Sequence, residues 1–162
     1  MTESEKRKHR CCFAGHRPEK ITFPISDVCD SLKEEIQQAI YDGLTVFITG
    51  MARGVDIWAA EIVLQLREQG QDIKLICAVP YRGYERNWKL EWQTRYNTII
   101  SHADLVRFIS PKYSRNCFQI RNKLMVDHSA RVIAVFNGEK SGTKNTIDYA
   151  QKNHVPVMFI NK

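Results

Sequence analysis

The chain has 162 residues, which fits one domain large enough to bury a hydrophobic core. Hydrophobic residues make up 43% of it, yet no apolar run approaches the ~20 residues of a membrane-spanning helix, which argues against a membrane partner. The 24 basic and 18 acidic side chains give a net charge of +6, and much of the basic excess lies in the first ten residues.

The N-terminal segment is too polar for a secretory signal peptide, so we expect a cytoplasmic protein. Residues 1–9 are predicted to form a flexible basic tail, and 10–162 to form the domain. The five cysteines show neither CxxC nor Cys/His ligand spacing, so we expect no metal, and disulfides do not fit a cytoplasmic chain. They are Cys11, Cys12, Cys29, Cys77 and Cys117.

Strand-like apolar runs alternate with segments of helical periodicity along the chain. Most strand runs are continuously apolar, as in strands that are covered on both faces. The predicted strands are residues 10–14, 45–49, 73–79, 104–109, 131–136 and 155–160, and apolar stripes of helical spacing begin near residues 28, 55, 88, 118 and 147. This alternation predicts an α/β fold: one doubly wound, mainly parallel sheet with helices on both faces. Ligands of such sheets bind beyond the carboxyl ends of the strands.

The loop after the second strand is the most informative segment. An apolar β-branched run ends at Gly50, and a helical pattern restarts at Gly54, with Arg53 between them. A helix N-terminus attracts anions, and glycines let the backbone approach a ligand closely. This pattern predicts a phosphate-binding loop. Asp56, at the helix start, is either a helix cap or a group that holds a ligand hydroxyl or base.

The loops after the first and third strands add further candidates. Gly15, His16 and Arg17 follow the first strand, where arginine can clamp an anion and histidine can donate a hydrogen bond. Tyr81 and Tyr84 lie in the loop predicted after the third strand, and either ring could stack on a nucleobase. The stripe Trp88, Trp92 and Tyr96 has helical spacing, which favours core packing over a stacking platform.

Two later segments supply the remaining candidates. Arg121 and Asn122 lie among apolar residues of a predicted helix, which requires either a pocket or a buried ion pair with an aspartate. Gly142 and Thr143 open the last predicted helix and form a potential anion nest. Because these loops all follow strands, we expect them to converge on one site.

At these residues the sequence resembles the SLOG superfamily, which includes the DNA-processing protein DprA and the LOG phosphoribohydrolases. The match is closest to its YpsA-like branch of small bacterial and phage proteins. The shared motifs are Gly15-His16-Arg17-Pro18, Gly50-x-x-Arg53-Gly54-Val55-Asp56-x-x-Ala59, Arg121-Asn122-x-x-Met125-Val126-Asp127 and Ser141-Gly142-Thr143. The resemblance implies a Rossmann-like fold that binds nucleotides or molecules derived from them.

The LOG branch implies catalysis of N-glycosidic cleavage, through an arginine and a glutamate that follows a Gly-Thr turn. Arg121 matches the arginine, but Thr146 stands where the glutamate is expected. Threonine supplies no carboxylate for the positive charge that develops on the sugar. Asp148 points about 200° away on a helix. This difference argues against hydrolysis unless Asp56 or Asp127 supplies the carboxylate.

Three hypotheses follow for the function. The leading one is a module that binds a nucleotide or a nucleotide-derived phosphorylated small molecule as a sensor, carrier or sequestering protein, without a cofactor. The second is an N-glycosidic hydrolase that uses Arg121, Asp127 and Asp56. The third is a DprA-like DNA-associated protein, although the sequence disfavours DNA because its aromatic residues are predicted to be in the core. Related folds pair through a helix layer, so a homodimer is a further hypothesis.

Overall fold

Six parallel strands form the centre of the molecule in the computed structural model, which describes residues 1–160. The strands are β1 (Arg10–Ala14), β2 (Val46–Thr49), β3 (Lys74–Tyr81), β4 (Leu105–Ser110), β5 (Arg131–Val135) and β6 (Val157–Ile160). The helices are α1 (Glu3–Arg7), α2 (Ile25–Tyr41), α3 (Val55–Glu68), α4 (Leu90–His102), α5 (Cys117–Asp127) and α6 (Gly142–Lys152), with a short 3-10 helix at Pro18–Lys20. Within these residues, no helix has the length and hydropathy needed to cross a bilayer.

The strand order in the sheet is β4-β3-β2-β1-β5-β6, and every neighbouring pair is parallel. This confirms the predicted α/β fold with a doubly wound parallel sheet. The chain adds strands on one side of β1 as far as β4 and then returns to place β5 on the other side. The order of strands therefore reverses between β1 and β5, and the loops after these two strands diverge to leave a crevice.

Helices cover both faces of the sheet and divide the hydrophobic core in two. The larger cluster includes Leu32 and Ile36 of α2, Phe47 of β2 and most of α3. The smaller cluster joins Cys12 and Val132 to the buried sides of α5 and α6. Because β1, β2 and β5 are covered on both faces, their residues are almost all buried, as their continuous apolar runs predict.

The structure corrects the boundaries of two elements. Strand β3 extends through Pro80 to Tyr81, and Tyr81 pairs with Ser110 of β4, so it does not lie in the loop predicted there. Trp88 precedes α4, which begins at Leu90, so it does not belong to the helical stripe of Trp92 and Tyr96. In both places the pairing of neighbouring strands and the turn after β3 override the local hydrophobic pattern.

Residues 1–9, expected as a flexible basic tail, include the capped helix α1. The Thr2 side chain accepts a hydrogen bond from the Glu5 amide, and the Glu5 carboxylate accepts one from the Thr2 amide. Glu3 forms ion pairs with Arg10 at 2.5 Å and with His128 at 2.7 Å, which holds its pKa at about 2. These contacts attach α1 to the domain, and the boundary after residue 9 stays a prediction.

Candidate functional site

A cavity of about 470 Å³ opens at the carboxyl ends of the strands, beside the reversal of strand order between β1 and β5. Its lining comes from the end of β1, from the loops after β1, β2, β3 and β5, and from α3, α5 and α6. Nine of the twelve predicted ligand-binding residues line this cavity: Gly15, His16, Arg17, Arg53, Asp56, Arg121, Asn122, Gly142 and Thr143. The other three, Gly50, Gly54 and Tyr81, are absent from the lining.

Gly54 allows the loop after β2 to pack closely against the loop after β1. Its φ of +92° is in the region that favours glycine, and a Cβ added there would stand 2.5 Å from the His16 carbonyl oxygen. Gly15 is equally confined, since its Cβ would stand 2.4 Å from the Cβ of Val55. The missing Cβ of Gly54 therefore makes room for the neighbouring loop, and its contact with a ligand stays a prediction.

Gly50 lies between the two charged groups at the floor of the cavity. A Cβ added there would be 2.8 Å from Asp56 Oδ2 and 2.9 Å from the Arg121 guanidinium carbon. The Gly50 carbonyl also accepts a hydrogen bond from Arg121 Nη1. Because Gly50 has no side chain, the Asp56 carboxylate of α3 and the Arg121 guanidinium of α5 can both approach its backbone.

Asp56 is 7% exposed, at the first turn of α3. Its Oδ2 accepts a hydrogen bond from the Ala52 amide at 3.2 Å, and its carbonyl accepts one from the Thr49 hydroxyl at 2.9 Å. Burial raises the pKa of Asp56 to about 6, although Arg121 and the Ala52 amide both favour its charged form. The sequence leaves open whether Asp56 caps the helix or holds a ligand. Among residues 1–160, no side chain caps α3; Asp56 instead bonds the loop before the helix, and it also lines the cavity, so its contact with a ligand stays a prediction.

Arg121, on α5, is 5% exposed. Besides the Gly50 carbonyl, its guanidinium bonds the Asn122 amide oxygen through Nε at 2.7 Å. Within residues 1–160 it forms no ion pair, so the alternative of a buried pair with an aspartate is wrong. A buried arginine that binds neutral groups keeps its charge available to the cavity.

His16 connects the loop after β1 with the loop after β5. Its Nε2 accepts a hydrogen bond from the Asn137 amide at 3.2 Å, its Nδ1 lies 3.4 Å from the Thr143 hydroxyl, and its ring stacks on Phe136. Burial lowers the pKa of His16, with Glu139 opposing and Lys20 adding to the shift. The neutral ring therefore carries its proton on Nδ1, where it faces Thr143.

Cationic side chains surround the mouth of the cavity. Arg17 is exposed, whereas Arg53 forms an ion pair with Glu19 at 2.5 Å. Lys20 and Lys140 also line the cavity, and the sequence analysis did not name them as site residues. Both follow strands β1 and β5 at the reversal point, so their position in those loops was the signal that could have identified them.

One wall of the cavity is aromatic and consists of Tyr84, Trp88 and Phe118. The rings of Tyr84 and Trp88 are 5.0 Å apart and nearly perpendicular, and those of Tyr84 and Phe118 are 5.7 Å apart. Tyr81 lies behind this wall, with its ring edge against Tyr84 at 5.4 Å. Of the two tyrosines predicted for this loop, Tyr84 lines the cavity and Tyr81 does not, and Trp88 adds a second ring.

Of the residues named for hydrolysis, Arg121 and Asp56 line the cavity and Asp127 does not. Asp127 is exposed at the end of α5 and accepts a hydrogen bond from the Tyr149 hydroxyl at 2.6 Å. Thr146 lines the cavity and donates to the Gly142 carbonyl, while Asp148 is exposed and pairs with Lys144. Within residues 1–160, no group of three or more His, Cys, Asp or Glu side chains is arranged to hold a metal ion.

The parallel sheet and the cavity at its strand reversal define an α/β protein of the Rossmann-like class. The chain belongs to the YspA SLOG family, whose sequence model matches residues 11–161. Among relatives, it is 33% identical over 125 residues to a UPF0398 protein of Bacillus cereus (strain G9842), covering 75% of this chain and 68% of that protein. A UPF0398 protein of Bacillus thuringiensis (strain Al Hakam) is 32% identical over 124 residues, covering 75% and 67%.

Two solved structures share the fold at low sequence identity. DNA processing protein A from Helicobacter pylori, in a structure that describes its single-stranded DNA binding mode, superposes with a TM-score of 0.67 at 20% identity. That match covers 99% of this chain and 68% of the other. DNA processing protein A from Streptococcus pneumoniae gives a TM-score of 0.66 at 18% identity, covering 96% and 51%. These likenesses confirm the predicted Rossmann-like fold.

Proposed function

We propose that this protein binds a nucleotide or a nucleotide-derived phosphorylated small molecule, as a sensor, carrier or sequestering module. The observation that carries this proposal is the chemical division of one cavity into a cationic mouth, a polar floor and an aromatic wall. A phosphate, a sugar and a base need these three kinds of surroundings.

The charge of the lining supports an anionic ligand. Two carboxylates line the cavity, Asp56 and Glu139, against five cations: Arg17, Lys20, Arg53, Arg121 and Lys140. The N-terminus of α6 adds its first backbone N–H groups, which have no partner inside the helix. The partial positive charge at the helix N-terminus adds to the positive charge of these side chains, so the mouth of the cavity attracts phosphate.

The aromatic wall supports a planar group as the other end of the ligand. Tyr84 and Trp88 follow β3, and Phe118 comes from α5, so three rings from two segments face one volume. Rings of this kind stack on nucleobases, which are flat and poorly hydrated on their faces. A cavity of about 470 Å³ is within the usual range for a small-molecule site.

The experiment is incubation with a mixture of nucleoside monophosphates, NAD, ADP-ribose and cyclic nucleotides, followed by mass spectrometry of the retained and free fractions. Retention of one intact nucleotide would identify the ligand. Arg17→Gln should then weaken binding about tenfold, since a charge-assisted hydrogen bond is lost. Arg115→Gln, a change of another exposed arginine that does not line the cavity, is the matched control. If the two variants bind equally, Arg17 does not contact the ligand.

Single-stranded DNA is the second candidate, supported by the net charge of +6 and the fold shared with DNA processing protein A. It requires binding whose affinity falls steeply with salt concentration, because cations on phosphates release counterions. Fluorescence anisotropy with a labelled oligonucleotide from 50 to 200 mM salt tests it. Displacement of the oligonucleotide by a mononucleotide would place both ligands in the cavity.

N-glycosidic hydrolysis is the third candidate, supported by Asp56 and Arg121 at the cavity floor. A carboxyl group with a pKa of about 6 is suited to proton transfer near neutral pH. Release of a free base in the same mass-spectrometric experiment would support turnover. Asp56→Asn should abolish that release, whereas Asp127→Asn, outside the cavity, should not.

A further inference from the structure

Two buried groups of opposite charge meet at the floor of the cavity without bonding each other. Asp56 is 7% exposed and Arg121 5%, and atoms of both side chains lie within 3 Å of the position that a Cβ on Gly50 would occupy. No ion pair joins them within residues 1–160. Charges that are removed from water in this way are costly unless something pairs with them.

Each of the two side chains has one polar atom that is left for a ligand, since its other polar atoms bond the protein. Asp56 uses Oδ2 for the Ala52 amide, and Arg121 uses Nη1 and Nε for Gly50 and Asn122. In the described chain, Asp56 Oδ1 and Arg121 Nη2 have no hydrogen-bond partner, and neither atom is fully enclosed by protein. The floor therefore offers one strong acceptor and one strong donor side by side.

This combination selects among the parts of a nucleotide. A phosphate would satisfy Arg121 but would be repelled by the carboxylate, and the cationic mouth already offers phosphate a better site. The flat base fits the aromatic wall. Two neighbouring hydroxyls satisfy both groups at once, because one can donate to Asp56 while the other accepts from Arg121.

We propose that Asp56 and Arg121 together recognise the 2′,3′-diol of a ribose, so that the cavity selects ribonucleotides over 2′-deoxyribonucleotides. This inference rests on the proposed nucleotide-binding function and names the class of nucleotide within it. Removal of the 2′-hydroxyl leaves a buried charged group without its partner, which penalises the deoxy ligand more than the loss of one exposed contact would.

The test compares the four ribonucleoside 5′-monophosphates with their 2′-deoxy counterparts by equilibrium dialysis and mass spectrometry. The wild-type chain should prefer the ribonucleotide about tenfold or more. Asp56→Asn should reduce this preference to less than about threefold, because a neutral amide is a weaker acceptor that can still bond the Ala52 amide. Asp30→Asn makes the same substitution at an exposed position of α2 outside the cavity and should retain the preference.

The outcomes separate this inference from the function on which it rests. Equal binding of ribo and deoxy ligands by the wild-type chain would overturn the diol proposal and leave nucleotide binding intact. Binding of neither set would overturn the diol proposal for nucleoside monophosphates, and the proposed function would also fail if NAD, ADP-ribose and cyclic nucleotides were not retained. A preference that persists in Asp56→Asn would remove Asp56 from the recognition of the sugar. The wild-type comparison needs no variant, so it is decisive even if Asp56→Asn does not fold.

Discussion

At the scale of single residues, Asp56 is the group whose surroundings differ most from those of an ordinary aspartate. It is buried between the loop after β2 and α5, with one backbone hydrogen bond and a nearby arginine that does not pair with it. Such a carboxylate destabilises the ligand-free fold whenever it is ionised. Binding residues are often kept in this state, because a ligand supplies the missing partner.

The raised pKa of Asp56 predicts how stability depends on pH. The unfolded chain titrates near 3.8 and the folded chain near 6, so between these values the folded state holds a proton that the unfolded state has released. The free energy of unfolding therefore falls as pH rises through this window, by about 3 kcal/mol for two pKa units. Urea unfolding of the wild type and of Asp56→Asn from pH 3.5 to 7 measures it. The difference between the two proteins isolates Asp56, because the other titrating groups are common to both, and a constant difference would contradict the prediction.

Gly54 allows a second residue-scale prediction with an internal control. Gly54 and Gly70 have φ values of +92° and +104°, but only Gly54 has atoms near the position of a Cβ. Gly70→Ala should cost about 1 kcal/mol of stability from backbone strain alone. Gly54→Ala should cost about 2 kcal/mol more, because its methyl group meets the His16 carbonyl. Chemical denaturation compares them, and equal losses would mean that the two loops separate freely.

At the scale of elements, the site depends on how the loops at the strand reversal are fixed to one another. His16 bonds the Asn137 amide and faces Thr143, and Ser141 caps the N-terminus of α6. The contact of His16 with Asn137 joins distant parts of the chain, since the two residues are 121 positions apart. The N-terminal end of α6 is thus positioned by a side chain from the first βα loop.

The Ser141 cap is expected to contribute to the stability of the first turn of α6. The Ser141 side chain accepts a hydrogen bond from the Lys144 amide at 3.2 Å. Ser141→Ala should destabilise the protein by about 1 kcal/mol and speed amide exchange in the first turn of α6. Ser101→Ala, where the exposed hydroxyl bonds a carbonyl of its own helix, should change stability by less than about 0.5 kcal/mol. Unchanged exchange in α6 would show that other contacts fix its N-terminus.

At the scale of the whole molecule, stability is concentrated in the middle of the sheet. Phe47 of β2 is fully buried and stacks on Phe13 of β1, with ring centroids 6.1 Å apart. Leu105 of the edge strand β4 is 42% exposed. The strands that support the cavity therefore have the best-packed surroundings, and the strands at the edges have the weakest.

A pair of truncations checks this gradient. Phe47→Ala should cost about 3–5 kcal/mol, because it removes a ring from a core that cannot fully collapse. Leu105→Ala, at the exposed edge, should cost less than about 1 kcal/mol, since part of the side chain is already in water. Thermal or urea unfolding measures both. Comparable losses would mean that the core extends evenly to β4.

The fold could be predicted because the strands are covered on both faces. Continuous apolar runs, each followed by a helical pattern, specify parallel strands without reference to distant residues, and all six predicted strands are present. Part of the lining of the cavity could be predicted for a related reason. Loops that follow parallel strands converge whatever their sequence, so Arg17, Asp56, Arg121 and Thr143 were found by their positions in the chain and their polarity.

Tertiary structure alone decided which residues face the cavity and what each one touches. Tyr81 continues β3 because β4 pairs with it, and Trp88 leaves the helical stripe because α4 starts two residues later. Gly54 serves the packing of two loops, and Arg53 is paired with Glu19, from a segment 34 residues away. Hydrophobic periodicity records which residues are buried, because burial follows from the local geometry of a helix or strand. It does not record the contacts of charged side chains, since those contacts join segments that come together only when the sheet has formed.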